Sequence, residues 1–269
     1  ECLATRLRAN SPVESYLEHR RNGSGVPIAT DPAGSPATLA VAWGLAAHAI
    51  ASWVVRDELP ELEGKIQTLD LTTWKTRAHT LIRLPYCPAC GAGAATPADS
   101  PPRPIGLESC SKTVTRDGGY RVVAPEVTLD RYGHHVSPIT GAVTMLERVG
   151  PTADGAFHVY LAGHNLARGH ASLNHLRGDL RNMSSGKGAS DLQARASGLC
   201  EGLERYSGVF RGDEPRRRAV ARALGEAAVR LNDCLLFSDR QYRERDAWNA
   251  RKSRYNFVPV PLDPDAQID

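Results

Sequence analysis

Residues 37–55, ATLAVAWGLAAHAIASWVV, contain no Asp, Glu, Lys or Arg. A run like this must be buried in a core, buried in an interface, or placed in a membrane. A spanning helix needs about 20 predominantly apolar residues, so length permits a span. Composition argues against one: Ala is the commonest residue of the run, with only one Ile and two Leu, and His48 lies near its middle. Leu, Ile, Phe and Val drive membrane insertion, and Ala contributes little. The segment therefore reads as a helix buried on all sides, in a core or a subunit interface. Pro36 before it and Arg56-Asp57-Glu58 after it suit a helix start and stop.

The rest of the chain has a globular balance. Its 269 residues are 41 % apolar and 23 % charged, enough for a packed core in one large domain or two modest ones. A net charge of +3 does not support a nucleic-acid coat or a polybasic membrane anchor. No charged stretch followed by an apolar one marks a secretion signal. Residues 65–72 and 77–83 alternate apolar and polar, as half-buried strands do. Residues 91–104, GAGAATPADSPPRP, lack apolar periodicity and read as a linker. Beyond it, runs at 120–129, 142–147 and 156–162 resemble strands, separated by Ser137-Pro138 and Asp154-Gly155 turns. Two helical stripes follow, Leu192, Ala196, Leu199, Leu203 and Tyr206 within 190–207, and Val220, Leu224, Ala227, Leu231 and Leu235 within 213–236. With the apolar run FVPVPL at 257–262, the order predicts an α/β (α+β) fold without internal repeats.

The cysteines point to a metal. Cys87-x-x-Cys90-Gly91 is half of a zinc-ribbon-like site, with two thiolates able to face one tetrahedral ion. A redox pair is the rival, but no helix pattern follows Pro88-Ala89. A structural Zn2+ needs about four ligands; Cys2 is the best third, the fourth is unassigned, and with no open position implied the expected role is structural. Cys200 and Cys234 lie by helix stripes and read as buried small apolar residues, while Cys110 has no reading.

Ser184 to Ser207 carries the densest pattern. Ser190 followed by Gln193 is a capping box, so a Gly186-Lys187-Gly188 loop feeds a helix N-terminus, a place that attracts anions. It is not a Walker A loop, because Arg181 and Gly188 stand where that motif needs Gly and Ser or Thr. Glu201 and Glu204 follow at i and i+3 on one helix face. Arg205 can pair with Glu201 at i, i+4, an ordinary surface ion pair worth about 0.3–0.5 kcal/mol. Alternatively, the two carboxylates hold Mg2+ with nucleotide phosphates. Spacing by itself favours the ion pair. His134-His135, ahead of a strand, read as surface or satisfied histidines rather than metal ligands. Arg216 to Arg218 and the basic stretch Arg240 to Arg254 read as solvated faces, or as surfaces for an acidic peptide.

The string GKGASDLQARASGLCEGLERYSG, residues 186–208, resembles the nucleotide-binding segment of the YcaO family. The likeness is to the cyclodehydratases of thiazole/oxazole-modified peptides. RVVAPEVTL at 121–129, VSPITG at 136–141, FSDRQY at 237–242 and VPVP at 258–261 fit as flanks. Residues 1–91 resemble the end of a ThiF-like (E1-like) docking module, where Cys2 and CPAC at 87–90 match a zinc site. The resemblance implies three parts: 1–91 as docking module, 92–111 as linker, and 112–269 as the first portion of a YcaO domain. It implies ATP binding without a P-loop, with Mg2+ on Glu201 and Glu204 and with Lys187 and Ser197 in or near the nucleotide site. The implied reaction starts when a Cys, Ser or Thr side chain of a ribosomal precursor peptide attacks the preceding amide carbonyl. Phosphorylation of the resulting oxygen and loss of phosphate then give an azoline.

Several expectations accompany this. The chain is a homodimer joined through 37–55, cytoplasmic, with no nucleic-acid or membrane partner. Further partners are a leader-peptide-binding segment and a flavin-dependent dehydrogenase. The family's second acidic cluster, its Pro-rich C-terminus and a leading winged helix have no counterpart in this sequence. The expectation is thus an internal fragment that does not cyclise peptides by itself. A zinc-stabilised peptide-docking scaffold and a thioamide-forming YcaO protein are the alternatives.

Overall fold

The computed structural model describes residues 1–22, 34–87, 89–91, 106–116, 120–150, 157–164, 173–180, 182–209, 218–229, 231–252, 257–263, 265 and 267–268. These fall into two compact units, the first Glu1–Gly93 with Pro104–Arg211 and the second Ala94–Arg103 with Gly212–Asp269. The fold is mixed α and β, of the α+β kind that the element order predicts.

The first unit opens with α1 (Cys2–Asn10), α2 (Pro12–Asn22) and α3 (Pro36–Arg56). The sequence reading made no prediction for α1 or α2. Ser35 caps α3 by accepting a hydrogen bond from the Thr38 N–H at 3.2 Å, and Asp57 ends it in the left-handed conformation. No residue of α3 is buried, which corrects the expectation of a helix covered on every side. Trp43 is 74 % exposed and Val55 83 %. The cause is geometric. Apolar residues run round the whole helix, whereas among the described residues one side of it faces residues 57–63 and the hairpin, across a groove of about 900 Å3 lined by Val41, Leu45, Ile66 and Leu69. By length and composition alone α3 is long and apolar enough to cross a membrane.

The hairpin pairs β1 (Lys65–Asp70) with β2 (Lys75–Thr80), in register from Lys65 opposite Thr80 to Asp70 opposite Lys75. Both alternating runs therefore form strands, each ending earlier than the pattern suggests. Asp70 folds the turn between them: its carboxylate accepts from the Thr73 hydroxyl at 2.7 Å and the Thr72 N–H at 2.8 Å. The Thr73 hydroxyl, with those backbone donors, holds the Asp70 carboxyl below its ordinary pKa.

Residues 120–129 are not a strand. Pro125 starts α4 (Pro125–Tyr132), and only Arg121 makes an isolated bridge, to Val114. Proline lacks the N–H that a strand ladder needs, and its fixed φ suits the first turn of a helix. His134 and His135 lie in a 3-10 turn, Gly133–His135, with ring centroids 4.3 Å apart, and not at a strand entrance. The central sheet is an antiparallel meander of β3 (Val143–Val149), β4 (His158–His164) and β5 (Met183–Gly188), in that order. A short helix, α5 (Leu173–Asp179), precedes β5. Across one sheet face lies α6 (Asp191–Ser207). Val143, Ala162 and Leu199 form the centre of this core at 0 % exposure, ringed by Leu129, Val136, Leu146 and Leu203.

The second unit is built of short pieces: β6 (Ala219–Val220), α7 (Ala221–Leu224), the 3-10 turn Gly225–Ala227, α8 (Leu231–Leu235), α9 (Asp239–Arg243), α10 (Arg245–Ala250) and β7 (Gln267–Ile268). The single helix expected over 213–236 is broken at Gly225, whose φ of +57 leaves the helical region. Its first residues, 213–217, and the linker residues 92–105 lie outside the described residues. The run 257–262 forms no strand among the described residues and is pinned by asparagines. Asn249 brackets Val258 with two hydrogen bonds of 2.9 Å, and Asn232 brackets Leu262 at 2.8 and 2.9 Å. Cys200 is half-buried, and Cys234 is exposed, which corrects the buried reading of both.

Candidate functional site

The seam between β5 and α6 organises the site. Ser190 caps α6, its side chain accepting from the Gln193 N–H at 3.4 Å. The Gly186-Lys187-Gly188 segment, expected as a loop, is the end of β5, with Gly186 opposite Tyr160 and Lys187 opposite Val159. Glycine is needed there because a Cβ on Gly186 would land on the backbone of Gly198 and Ala194. The turn is confined to Ala189-Ser190, and α6 lies directly against the strand.

This docking sorts the candidate residues. Ala194, Gly198 and Gly202, four residues apart, face the sheet. Ser197, Glu201 and Glu204, at i, i+4 and i+7, share the adjacent helix flank. Glu201 and Ser197 are half-buried and Glu204 is exposed. Arg205 approaches Glu201 at 3.5 Å. His164, at the end of β4, feels both Glu201 and Arg205; burial first of all depresses its pKa. Lys187 is not brought to the carboxylates. Gly186 and Gly188 face α6, so by strand alternation Lys187 leaves from the opposite sheet face, exposed.

A second polar cluster sits at the start of α6. Asp191 accepts from the Tyr160 hydroxyl at 3.0 Å on each oxygen, with Arg148 at 3.6 Å and His158 at 3.8 Å. Burial, then the hydrogen bond to Asp191, raises the Tyr160 pKa. Sequence reasoning missed this group, since its members come from three separate elements. Only an acidic residue in the first turn of α6 was visible.

The thiols assemble as predicted. The sulfurs of Cys2, Cys87 and Cys90 all lie within 4.8 Å of one another, and Cys2 Sγ is 3.0 Å from Cys90 Sγ. The Leu84 N–H donates to Cys2 Sγ at 3.4 Å. Gly91 is required, since a Cβ there would collide with backbone of Pro85 and Cys87. Burial opposes ionisation of Cys87, but the Ala89 and Cys90 N–H groups and neighbouring thiols outweigh it and bring its pKa to about 7. Cys90 moves the other way, pushed up to about 11 chiefly by Cys2 and Cys87. The three sulfurs cannot all ionise without a cation among them, and soft thiolates at this spacing fit Zn2+. Among the described residues no further Cys, His, Asp or Glu joins them.

Residues 185–269 match the family model of the YcaO cyclodehydratases, described as ATP- and Mg2+-binding. Among the solved structures similar to this chain are two heterocyclases. One, solved in complex with substrate and cofactor, is 39 % identical over 100 % of this chain and 36 % of its own, with a TM-score of 0.85. The other, the heterocyclase TruD, is 34 % identical over 98 % of this chain and 31 % of its own, with a TM-score of 0.62. The chain thus spans about a third of the length of these relatives. No curated protein matches it.

Proposed function

We propose that this chain is part of an ATP- and Mg2+-dependent cyclodehydratase that converts Cys, Ser or Thr of a ribosomal precursor peptide to azolines. The observation that carries the reading is the likeness of the whole chain to a heterocyclase at 39 % identity, joined to the YcaO match over 185–269. The donor set is consistent with it. Two carboxylates one helical turn apart, one exposed and one half-buried, suit a hard cation that also takes phosphate oxygens. Glu201 and Glu204 hold Mg2+ in this reading, and Ser197 lies one turn earlier on the same flank. Lys187 keeps its phosphate role on the resemblance alone. Bound Mg2+ supplies charge neutralisation for the transferred phosphoryl group. Residues 1–91 serve as the docking part, held by structural Zn2+ on Cys2, Cys87 and Cys90. The exposed apolar surface of α3 supports pairing with a second copy. A leader-peptide-binding segment and a flavin-dependent dehydrogenase are the further partners.

Calorimetric titration with ATP, with and without Mg2+, tests the reading. Mg2+-dependent binding by the protein, lost in Glu201→Gln/Glu204→Gln, is expected. Equal binding by the double variant would remove the carboxylates from the site.

A further inference from the structure

One face of α1 links the thiol cluster to the carboxylate helix. Cys2, Arg6 and Asn10 recur every four residues, and Cys2 and Arg6 are the residues buried on this helix. Cys2 joins the thiol cluster. Arg6, 6 % exposed, sends Nη1 to the Tyr206 hydroxyl at 2.7 Å and lays its guanidinium 5.1 Å from the Tyr206 ring centroid. Asn10 donates to the Ile139 and Gly141 carbonyls at 2.9 and 3.2 Å. The other thiol-bearing segment reaches the same place: Tyr86, next to Cys87, puts its hydroxyl 3.3 Å from that of Tyr206. Tyr206 stands in the last turn of α6, two residues beyond Glu204.

A buried guanidinium is costly unless its donors are used. Among the described residues the Arg6 Nε has no partner, and Nη1 spends its bond on a neutral tyrosine. The arginine is therefore carried there by α1, whose seat is shared between Cys2 in the thiol cluster and Asn10 on the Ile139 and Gly141 carbonyls. Both segments that supply thiols converge on one hydroxyl of the carboxylate helix.

We infer that Arg6 and Tyr86 are positioning residues, which couple metal occupancy of the Cys2–Cys87–Cys90 cluster to nucleotide binding at Glu201 and Glu204 through Tyr206. The inference rests on the nucleotide reading above. A metal gathers the three sulfurs and so fixes α1 and residues 84–91 against each other. Without it the two grips on Tyr206 loosen together, and the last turns of α6 lose their seat. Linkage requires the reverse as well: bound nucleotide tightens the metal.

The test is calorimetry with MgATP on zinc-loaded protein and on protein stripped of zinc and dialysed. In the unaltered protein, stripping weakens MgATP binding by about fivefold or more. Tyr206→Phe keeps the ring under Arg6 but removes the shared hydroxyl. Its zinc-loaded form binds MgATP about 2- to 30-fold more weakly, and stripping changes that little further. Arg6→Met behaves alike, Arg6→Lys recovers part of the zinc effect, and Tyr86→Phe gives a milder loss should Arg6→Met fail to fold. A merely structural role lowers the thermal midpoints of these variants and leaves the ratio of zinc-loaded to stripped affinity intact. That ratio, unchanged in Tyr206→Phe and Tyr86→Phe, overturns the coupling alone. A protein that takes up no zinc also overturns it. Absence of MgATP binding in the unaltered protein overturns the nucleotide reading, and the coupling with it.

Discussion

Gly186→Ala should separate α6 from β5, and its cost can be worked from the seam. The added Cβ lands on backbone, the Gly198 N–H and the Ala194 carbonyl, and no side chain can turn away to admit it. Carbon contacts settle at about 3.5–4.0 Å, so the helix must rise by more than about an ångström. That rise loosens Leu199 from Val143 and Ala162, the centre of the core. Overpacking costs about 1–3 kcal/mol where the surroundings can give, and paired backbone gives less than side chains. Taking the upper end, about 3 kcal/mol, less the about 0.5–1 kcal/mol of strand backbone entropy that alanine recovers, the net loss is about 2–2.5 kcal/mol. Two neighbouring glycines serve as controls. A Cβ on Gly198 meets the movable Leu146 Cδ1 at 3.2 Å and Gly186 N at 3.3 Å, and one on Gly202 meets Val143 Cγ2 at 3.0 Å. Each control also gains about 1 kcal/mol of helix propensity, so its net change stays within about 1 kcal/mol. Urea unfolding followed by circular dichroism gives the ranking. Gly186→Ala within about 0.5 kcal/mol of Gly198→Ala would refute the claim that backbone contact at this seam excludes a side chain.

Two further outcomes follow from the core and from its histidines. Leu199→Ala, at the centre of the sheet–helix core, should cost about 2–5 kcal/mol in urea unfolding; a loss under about 1 kcal/mol would place the core elsewhere. His135 is held neutral by burial first, then by His134 and Arg6, with its pKa lowered to about 4. The unfolded chain takes up that proton near pH 6.5, so the native state loses stability as pH falls from there and the loss levels off below about 4. His135→Gln should flatten that part of the profile of thermal midpoint against pH, and an unchanged slope would reject the assignment.

What the sequence made legible, and what it hid, divides along physical lines. The start of α6 was readable because Ser190 and Gln193 cap it locally, and its buried side because Leu199 and Leu203 fall on one stripe. The β3 and β4 strands were legible as short strand-like runs between turn residues. Gly186 to Gly188 looked like a loop because glycine usually breaks strands. Here the reason for glycine is the close approach of a helix that follows in sequence, a tertiary condition with no local signature. Val122, Val123 and Val127 argued for a strand, and Pro125 overruled them by starting α4. Residues 37–55 were read correctly as a helix and wrongly as covered, because periodicity reports what a face can bury and not what lies against it. The three thiols were found across 88 positions because few other chemistries suit them. Arg6 and Tyr206, 200 positions apart, are common residue types and gave no comparable signal.

The ion pair that spacing favoured and the metal site that resemblance favoured need not compete. Arg205 and Glu201 do approach, at 3.5 Å, but the arginine side chain is 58 % exposed and the glutamate 33 %. Such an exposed i, i+4 pair is worth about 0.3–0.5 kcal/mol, less than one thermal quantum of about 0.6 kcal/mol. It cannot hold Glu201 against a divalent cation carrying phosphates. Glu204 has no ion pair among the described residues, and its charge repels that of Glu201 one turn away. On the proposed reading, Glu201 and Glu204 would hold the cation, which would offset their repulsion and leave the exposed Arg205 side chain unpaired. The weakness of this salt bridge is compatible with the proposed cation: so exposed a pair would not close the flank of α6 to it.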